Sequence, residues 1–147
     1  MRALVQRVSQ ASVRVNGELT SHIGKGLLIF LGIRASDTRA QAELLSEKVT
    51  RLRIFPDEAG KMNRGLLEVG GEMLVVSQFT LYADTTKGNR PSYSEAAPAL
   101  IARPLYHSFI DNCRGRGALV STGVFQAHMD VQLTNDGPVT LMCYSEA

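Results

Sequence analysis

The chain has 147 residues, 44% of them hydrophobic and 20% charged, with sixteen Lys and Arg against fourteen Asp and Glu for a net charge of +2. A chain of this length buries a real core in one domain, so residues 1–147 are expected to form a single unit. The charge is too mild to announce a nucleic-acid binder, and no apolar run approaches the roughly 20 residues of a membrane span.

Residues 2–8 alternate, with Ala3, Val5 and Arg7 on one side and Leu4, Gln6 and Val8 on the other, as in a strand and unlike a signal peptide. A second strand is expected over 12–15, followed by the type I′ hairpin signal Asn16-Gly17. Leu27 to Leu31, bounded by glycines, reads as a strand buried on both faces. Thr38 and Gln41 have the spacing of a capping box, and Leu44, Leu45, Val49 and Leu52 follow at helical intervals. A helix is expected over about 38–51, then a strand over 52–55 stopped by Pro56.

Residues 61–71 carry Asn63, Gly65, Gly70 and Gly71 and are expected to be irregular or a short bridge. Met73 to Val76 reads as a central strand running into Ser77-Gln78-Phe79-Thr80-Leu81. The polar loop 84–94 carries Lys87 and Arg90. A second helix is expected over about 95–114, capped by Ser94, with Pro104 kinking or breaking it. The last strands are expected at 118–125, 129–133 and 139–144, with a turn over 135–138. Runs of strands with two helices point to an α+β fold, helices packed on a largely antiparallel, barrel-like sheet.

Several chemistries are argued against. The three histidines, His22, His107 and His128, are scattered, with no His-x-His pair, HExxH or acidic cluster at ligand spacing, so neither a metal nor another cofactor is indicated. Each histidine reads first as a surface or packing residue. No GxSxG elbow, Walker A loop or GxGxxG is present. Cys113 and Cys143 fall in a helix and a strand without clustering, as reduced thiols of a cytoplasmic protein would.

Three stretches carry the functional signal. Ser77, Gln78 and Thr80 beside a buried strand need partners, from nearby backbone or from a ligand. A nucleophilic Thr80 would need an adjacent base; Asp84 is four residues on, in no assignable position. Lys87-Gly88-Asn89-Arg90 combines two cations with a flexible glycine, suited to a solvated loop or to phosphate contact. In Asn135-Asp136-Gly137-Pro138, Pro138 removes a backbone donor where a return strand should begin, and the Gly137-Pro138 bond is a candidate for the cis form.

Together, MRALVQRVSQASV at the start, LRIF at 52–55, SQFTL at 77–81, KGNRPSY at 87–93 and NDGPVT at 135–140 resemble the D-aminoacyl-tRNA deacylases. Tyr93 stands where that family usually has phenylalanine. The resemblance implies a metal-free homodimer that hydrolyses D-aminoacyl-tRNA. Gly137 and Pro138 would enter the partner's site as the chiral selector, held by Arg7. Ser77, Gln78, Phe79 and Thr80 would line the catalytic pocket, with Ala102 and Met129 as supports. Lys87 and Arg90 would meet tRNA phosphate. Glycyl-tRNA would be an additional substrate, because glycine offers no side chain to reject. Two rival readings remain at this point: a tRNA-binding module without catalysis, and a hydrolase of free D-amino-acid esters.

Overall fold

The computed structural model describes residues 1–145. Eight strands and two helices follow in the order β1 (Arg2–Val15), β2 (Glu18–Ile23), β3 (Gly26–Gly32), α1 (Arg39–Arg51), β4 (Phe55–Pro56), β5 (Met62–Arg64), β6 (Glu72–Ser77), α2 (Ala99–Gly115), β7 (Leu119–Thr122) and β8 (Asp130–Tyr144). The main sheet has the order β2-β1-β3-β6-β7, and β8 pairs with β1. The long β1 serves as its spine. Its first half pairs with β3, its second half with β2, and β8 runs antiparallel along both.

The antiparallel expectation holds around β1, but β3–β6 and β6–β7 are parallel, so the sheet is mixed. Parallel neighbours need a crossover, and α1 lies on the path between β3 and β6 and α2 on that between β6 and β7. Both helices pack into one core with Val5, Leu27, Ile29, Met73 and Val75, through Leu45 and Val49 of α1 and Leu105, Tyr106 and Phe109 of α2. The opposite face forms a second core of Val8, Ala11, Val13, Ile23, Leu28, Leu74 and Val76. The curling of β1, β2 and β8 over that face makes the sheet barrel-like.

Local signals explain the element ends. Thr38 caps α1 through Ala40 N–H, and Gln41 completes the capping box. Asn16 and Gly17, with φ of 51° and 80°, make the expected tight turn between β1 and β2. The 52–55 strand is corrected: Leu52 caps α1, and only Phe55–Pro56 pairs, with Met62–Arg64. The 118–125 strand ends early, at Thr122.

Helix α2 starts at Ala99, later than expected, and its N-cap is Pro98. Residues 95–97 are occupied elsewhere: Ala35 N–H donates to Glu95 and Ala97 N–H to Ile33, tying the segment to the exit of β3. Pro98 also steers Ala97 away from helical angles. Pro104 does not break the helix. The carbonyl it leaves without a donor is that of Leu100, a residue 88% exposed, so water can take it.

The largest correction concerns 135–138. No hairpin forms, because residues 130–135 and 140–144 pair with the same strand, β1. The register jumps from Gln6↔Thr140 to Val8↔Asn135, so residues 136–139 bulge from the strand opposite Arg7. A turn motif between two alternating runs suits a hairpin locally. Two antiparallel contacts with one long neighbour override it.

Candidate active site

Strand β6 ends at Ser77 because the chain leaves the sheet at Gln78 (φ −141°, ψ 82°) and closes a 3-10 turn over Phe79–Tyr82. The turn is docked on β3: Gln78 N–H donates to Leu31 at 2.8 Å. Gly32 makes room for it, since a Cβ there would lie 2.9 Å from Leu81 Cβ and 3.2 Å from the Gln78 carbonyl. Phe79 and Thr80, as the first residues of the turn, present N–H groups with no intrahelical acceptor. The Gln78 amide donates to the Thr80 hydroxyl.

Beside this turn lies a cavity of about 470 Å³, lined by Ser77, Gln78 and Phe79, by Ala99 and Ala102 of α2, and by Phe125, Gln126, His128 and Met129 of the segment leading into β8. The structure therefore brings together Ser77, Gln78, Phe79, Ala102 and Met129 from three separate stretches of sequence. Thr80 adjoins them through Gln78 without lining the cavity. Gly123 shapes the far wall, for a Cβ there would meet Met129 Sδ at 2.7 Å.

The sequence reading missed Phe125, Gln126 and His128. Phe125 reads as a strand end and His128 as a surface residue; the fold keeps Gln126 and His128 exposed and Phe125 half-buried, yet sets all three in the lining of the cavity. Gly123, two residues before Phe125 in a segment without clear alternation, is the one local hint.

Gly137 and Pro138 are exposed and do not line this chain's cavity. Their peptide bond is cis. Arg7, largely buried, reaches under the bulge: its Nε donates to the Asp136 carbonyl at 2.8 Å and its Nη1 to the Ile54 carbonyl at 2.6 Å. The Asp136 carboxylate lies 3.6 Å from the same Nε. Asn135 closes the bulge from within, accepting from Val139 N–H at 2.7 Å and donating to the Val139 carbonyl at 3.2 Å. Gly137 has φ +146°, and an added Cβ would lie 2.8 Å from Val139 Cγ2 and 3.3 Å from Arg7 Nη2. Only glycine fits this position without strain.

Lys87 and Arg90 sit on an exposed loop closed by the backbone pair Asp84–Ser92. Asp84 accepts from the Thr86 N–H and hydroxyl, and these bonds hold its carboxyl below the usual carboxylate range. It is thus the anchor of the basic loop and does not line the cavity. Just beyond the loop, Tyr93 packs edge-on against Phe79, ring centres 5.1 Å apart, so the loop's base abuts the cavity mouth.

The fold class is shared with solved structures. The c-Myc DNA Unwinding Element Binding Protein superposes with a TM-score of 0.94 at 43% identity, covering 100% of both chains. A protein described as a probable eukaryotic D-amino acid tRNA deacylase superposes with a TM-score of 0.83 over 97% of each chain, at 16% identity. The family follows from the sequence: residues 4–144 match the model of the D-Tyr-tRNA(Tyr) deacylases, and the chain belongs to that family. Among its relatives, the D-aminoacyl-tRNA deacylase of Thermomicrobium roseum is 63% identical over 96% of this chain and 92% of its own length. That of Roseiflexus sp. RS-1 is 61% identical over 97% and 92%.

Proposed function

We propose that this protein hydrolyses the ester bond of D-aminoacyl-tRNA, releasing the D-amino acid and tRNA as a proofreading step in translation. The observation that carries the reading is the convergence of Ser77, Gln78, Phe79, Ala102 and Met129 on one cavity, in a chain that matches the deacylase family over 4–144. The aminoacyl group occupies that cavity. The N–H groups of Phe79 and Thr80 polarise the ester carbonyl and receive its developing negative charge.

Gly137 and Pro138 supply the stereochemical filter. Exposed, braced by Arg7 and outside their own chain's cavity, they are suited to enter the cavity of a second copy. The working unit in this reading is a homodimer with shared sites. A rigid wall on the side of an L side chain rejects every L-amino acid whatever its chemistry, whereas a favourable D pocket could not serve many side chains. Glycine has nothing to reject, so glycyl-tRNA is also hydrolysed.

Water, or the neighbouring ribose 2′-hydroxyl, attacks the ester. Thr80 is a poor nucleophile here, its hydroxyl engaged by the Gln78 amide and no carboxylate lining the cavity beside it. The ester is already activated, so positioning and charge stabilisation suffice. Lys87 and Arg90 contact tRNA phosphate at the mouth. The site of action is the cytoplasm, with translation; no helix among the described residues is long and apolar enough to cross a membrane.

The deciding assay compares D-Tyr-tRNA, L-Tyr-tRNA and Gly-tRNA. Release from the D and glycyl substrates alone is expected. Binding without release would favour a binding module, and equal activity on free D-tyrosine esters would favour a general esterase.

A further inference from the structure

The cavity has one wall built on α2 (Ala99, Ala102) and one built on the turn between β7 and β8 (Phe125, Gln126, His128). The turn is fixed at its base, where Gly123 N–H donates to Val75 at 3.1 Å, and closed on itself by Ala127 N–H to Val124 at 3.1 Å. Its tip carries the wall. One side chain of α2 grips that tip: Arg103, next to Ala102, donates from Nη2 to Gln126 Oε1 at 3.1 Å and lays its guanidinium 4.7 Å from the centre of the Phe125 ring. The Phe125 ring also packs against Tyr106, ring centres 5.5 Å apart. Gln126 is held at φ +67°, a conformation that non-glycine residues rarely keep without support.

We propose that Arg103 is a positioning residue that latches the Phe125–Gln126 wall to α2 and so sets the width of the aminoacyl cavity. This rests on the cavity being the aminoacyl site. The hydrogen bond and the cation–π contact of Arg103 both go to the Phe125–Gln126 wall, so its effect falls on substrate grip and not on the chemical step. A planar cation over an aromatic face combined with one fixed donor is a role lysine fills only in part.

The test compares wild type with Arg103→Ala, Arg103→Lys, Gln126→Ala and the Arg103→Ala/Gln126→Ala double variant, by steady-state hydrolysis of D-Tyr-tRNA and by amide hydrogen exchange over residues 123–128. Arg103→Ala is expected to raise KM about two- to fivefold, the range an exposed cation–π contact carries, with kcat changed less than about twofold. Arg103→Lys is expected to fall between wild type and Arg103→Ala. Gln126→Ala, which keeps the charge, should raise KM in the same direction, and the double variant should be no worse than Arg103→Ala. Amides of the turn should exchange faster in both single alanine variants.

An unchanged KM and unchanged exchange in Arg103→Ala would overturn the latch. So would additive losses, or a KM effect that disappears at high salt, which would make Arg103 a phosphate contact. The exchange arm also separates this proposal from the deacylase reading. An inactive wild type sinks that reading, and faster exchange in the variants still supports the latch.

Discussion

Arg7 and Asp136 lie 129 residues apart and are joined by a hydrogen bond of 2.8 Å from guanidinium to backbone carbonyl. The same guanidinium binds the Ile54 carbonyl, so one buried cation ties the bulge of β8 to the segment that follows α1. Removing it leaves two carbonyls without their charged donor. Arg7→Ala is expected to cost about 2–4 kcal/mol of stability and to lower D-Tyr-tRNA hydrolysis at least tenfold. Thermal unfolding and single-turnover deacylation measure the two effects. Wild-type stability and rate would show that the bulge holds itself.

At Gly137 the constraint is steric. With φ +146° and Val139 N 2.9 Å from the position of a Cβ, Gly137→Ala is expected to destabilise by about 1–3 kcal/mol. Its functional mark should be lost chirality: D-Tyr-tRNA hydrolysis falls and the ratio of D to L rates moves toward one. A variant that loses rate while keeping full D/L discrimination would refute the selector role.

Thr80 offers a sharper test of chemistry. Its hydroxyl is held by Gln78, and its contribution in the proposed mechanism comes from backbone N–H. Thr80→Ala should therefore keep hydrolysis within about tenfold of wild type, whereas loss of an essential nucleophile costs several orders of magnitude. Mass spectrometry of the quenched reaction should find no acyl-enzyme. A trapped ester on Thr80 would replace the water mechanism.

Two buried groups predict the alkaline limit of stability. Burial pushes the Cys113 thiol from 9.0 up to about 12, and the Tyr106 hydroxyl, which donates to the Val75 carbonyl at 2.9 Å, from 10.0 up to about 12. Both stay protonated in the folded chain while the unfolded chain ionises, so the unfolded state binds fewer protons above pH 9. Stability is then complete below about pH 9 and is lost as pH rises toward 12, each group adding about 1.4 kcal/mol per pH unit to the slope where its two states differ. Denaturant midpoints from pH 7 to 11 measure this. Cys113→Ala should flatten the portion that starts near pH 9; an unchanged slope would exclude the thiol.

The basic loop gives a prediction in salt. If Lys87 and Arg90 each neutralise one phosphate, replacing both with alanine weakens tRNA binding and reduces the log K against log salt slope by about one to two. Equal tRNA affinity across salt concentrations would move the RNA contact elsewhere.

The elements most legible in the sequence were those whose cause is local. Thr38 and Gln41 capped α1 as their spacing required, Asn16-Gly17 made its turn, and Arg7 faced the same side as Ala3 and Val5. Helix α2 was legible in its middle and not at its start, because Ile33 and Ala35, far back in the chain, recruit residues 95–97 first. The site was legible in part. SQFTL and NDGPVT stood out, while Phe125, Gln126 and His128 did not, since nothing in their spacing says which way an irregular turn faces.

Local sequence accounts for both helices and most of the strands, for the capped and glycine-bounded ends, and for the motifs that resemble one family, because caps, alternation and forbidden backbone angles act within a few residues. Long-range pairing makes β3, β6 and β7 run parallel, makes residues 136–139 bulge from one strand instead of reversing it, and brings three distant stretches around one cavity. Those outcomes depend on which strand is available to pair with which. Competition of that kind is settled by contacts between residues far apart in the chain, as when the single long edge of β1 takes both halves of β8 and leaves the Gly137-Pro138 bulge outside, on the guanidinium of Arg7.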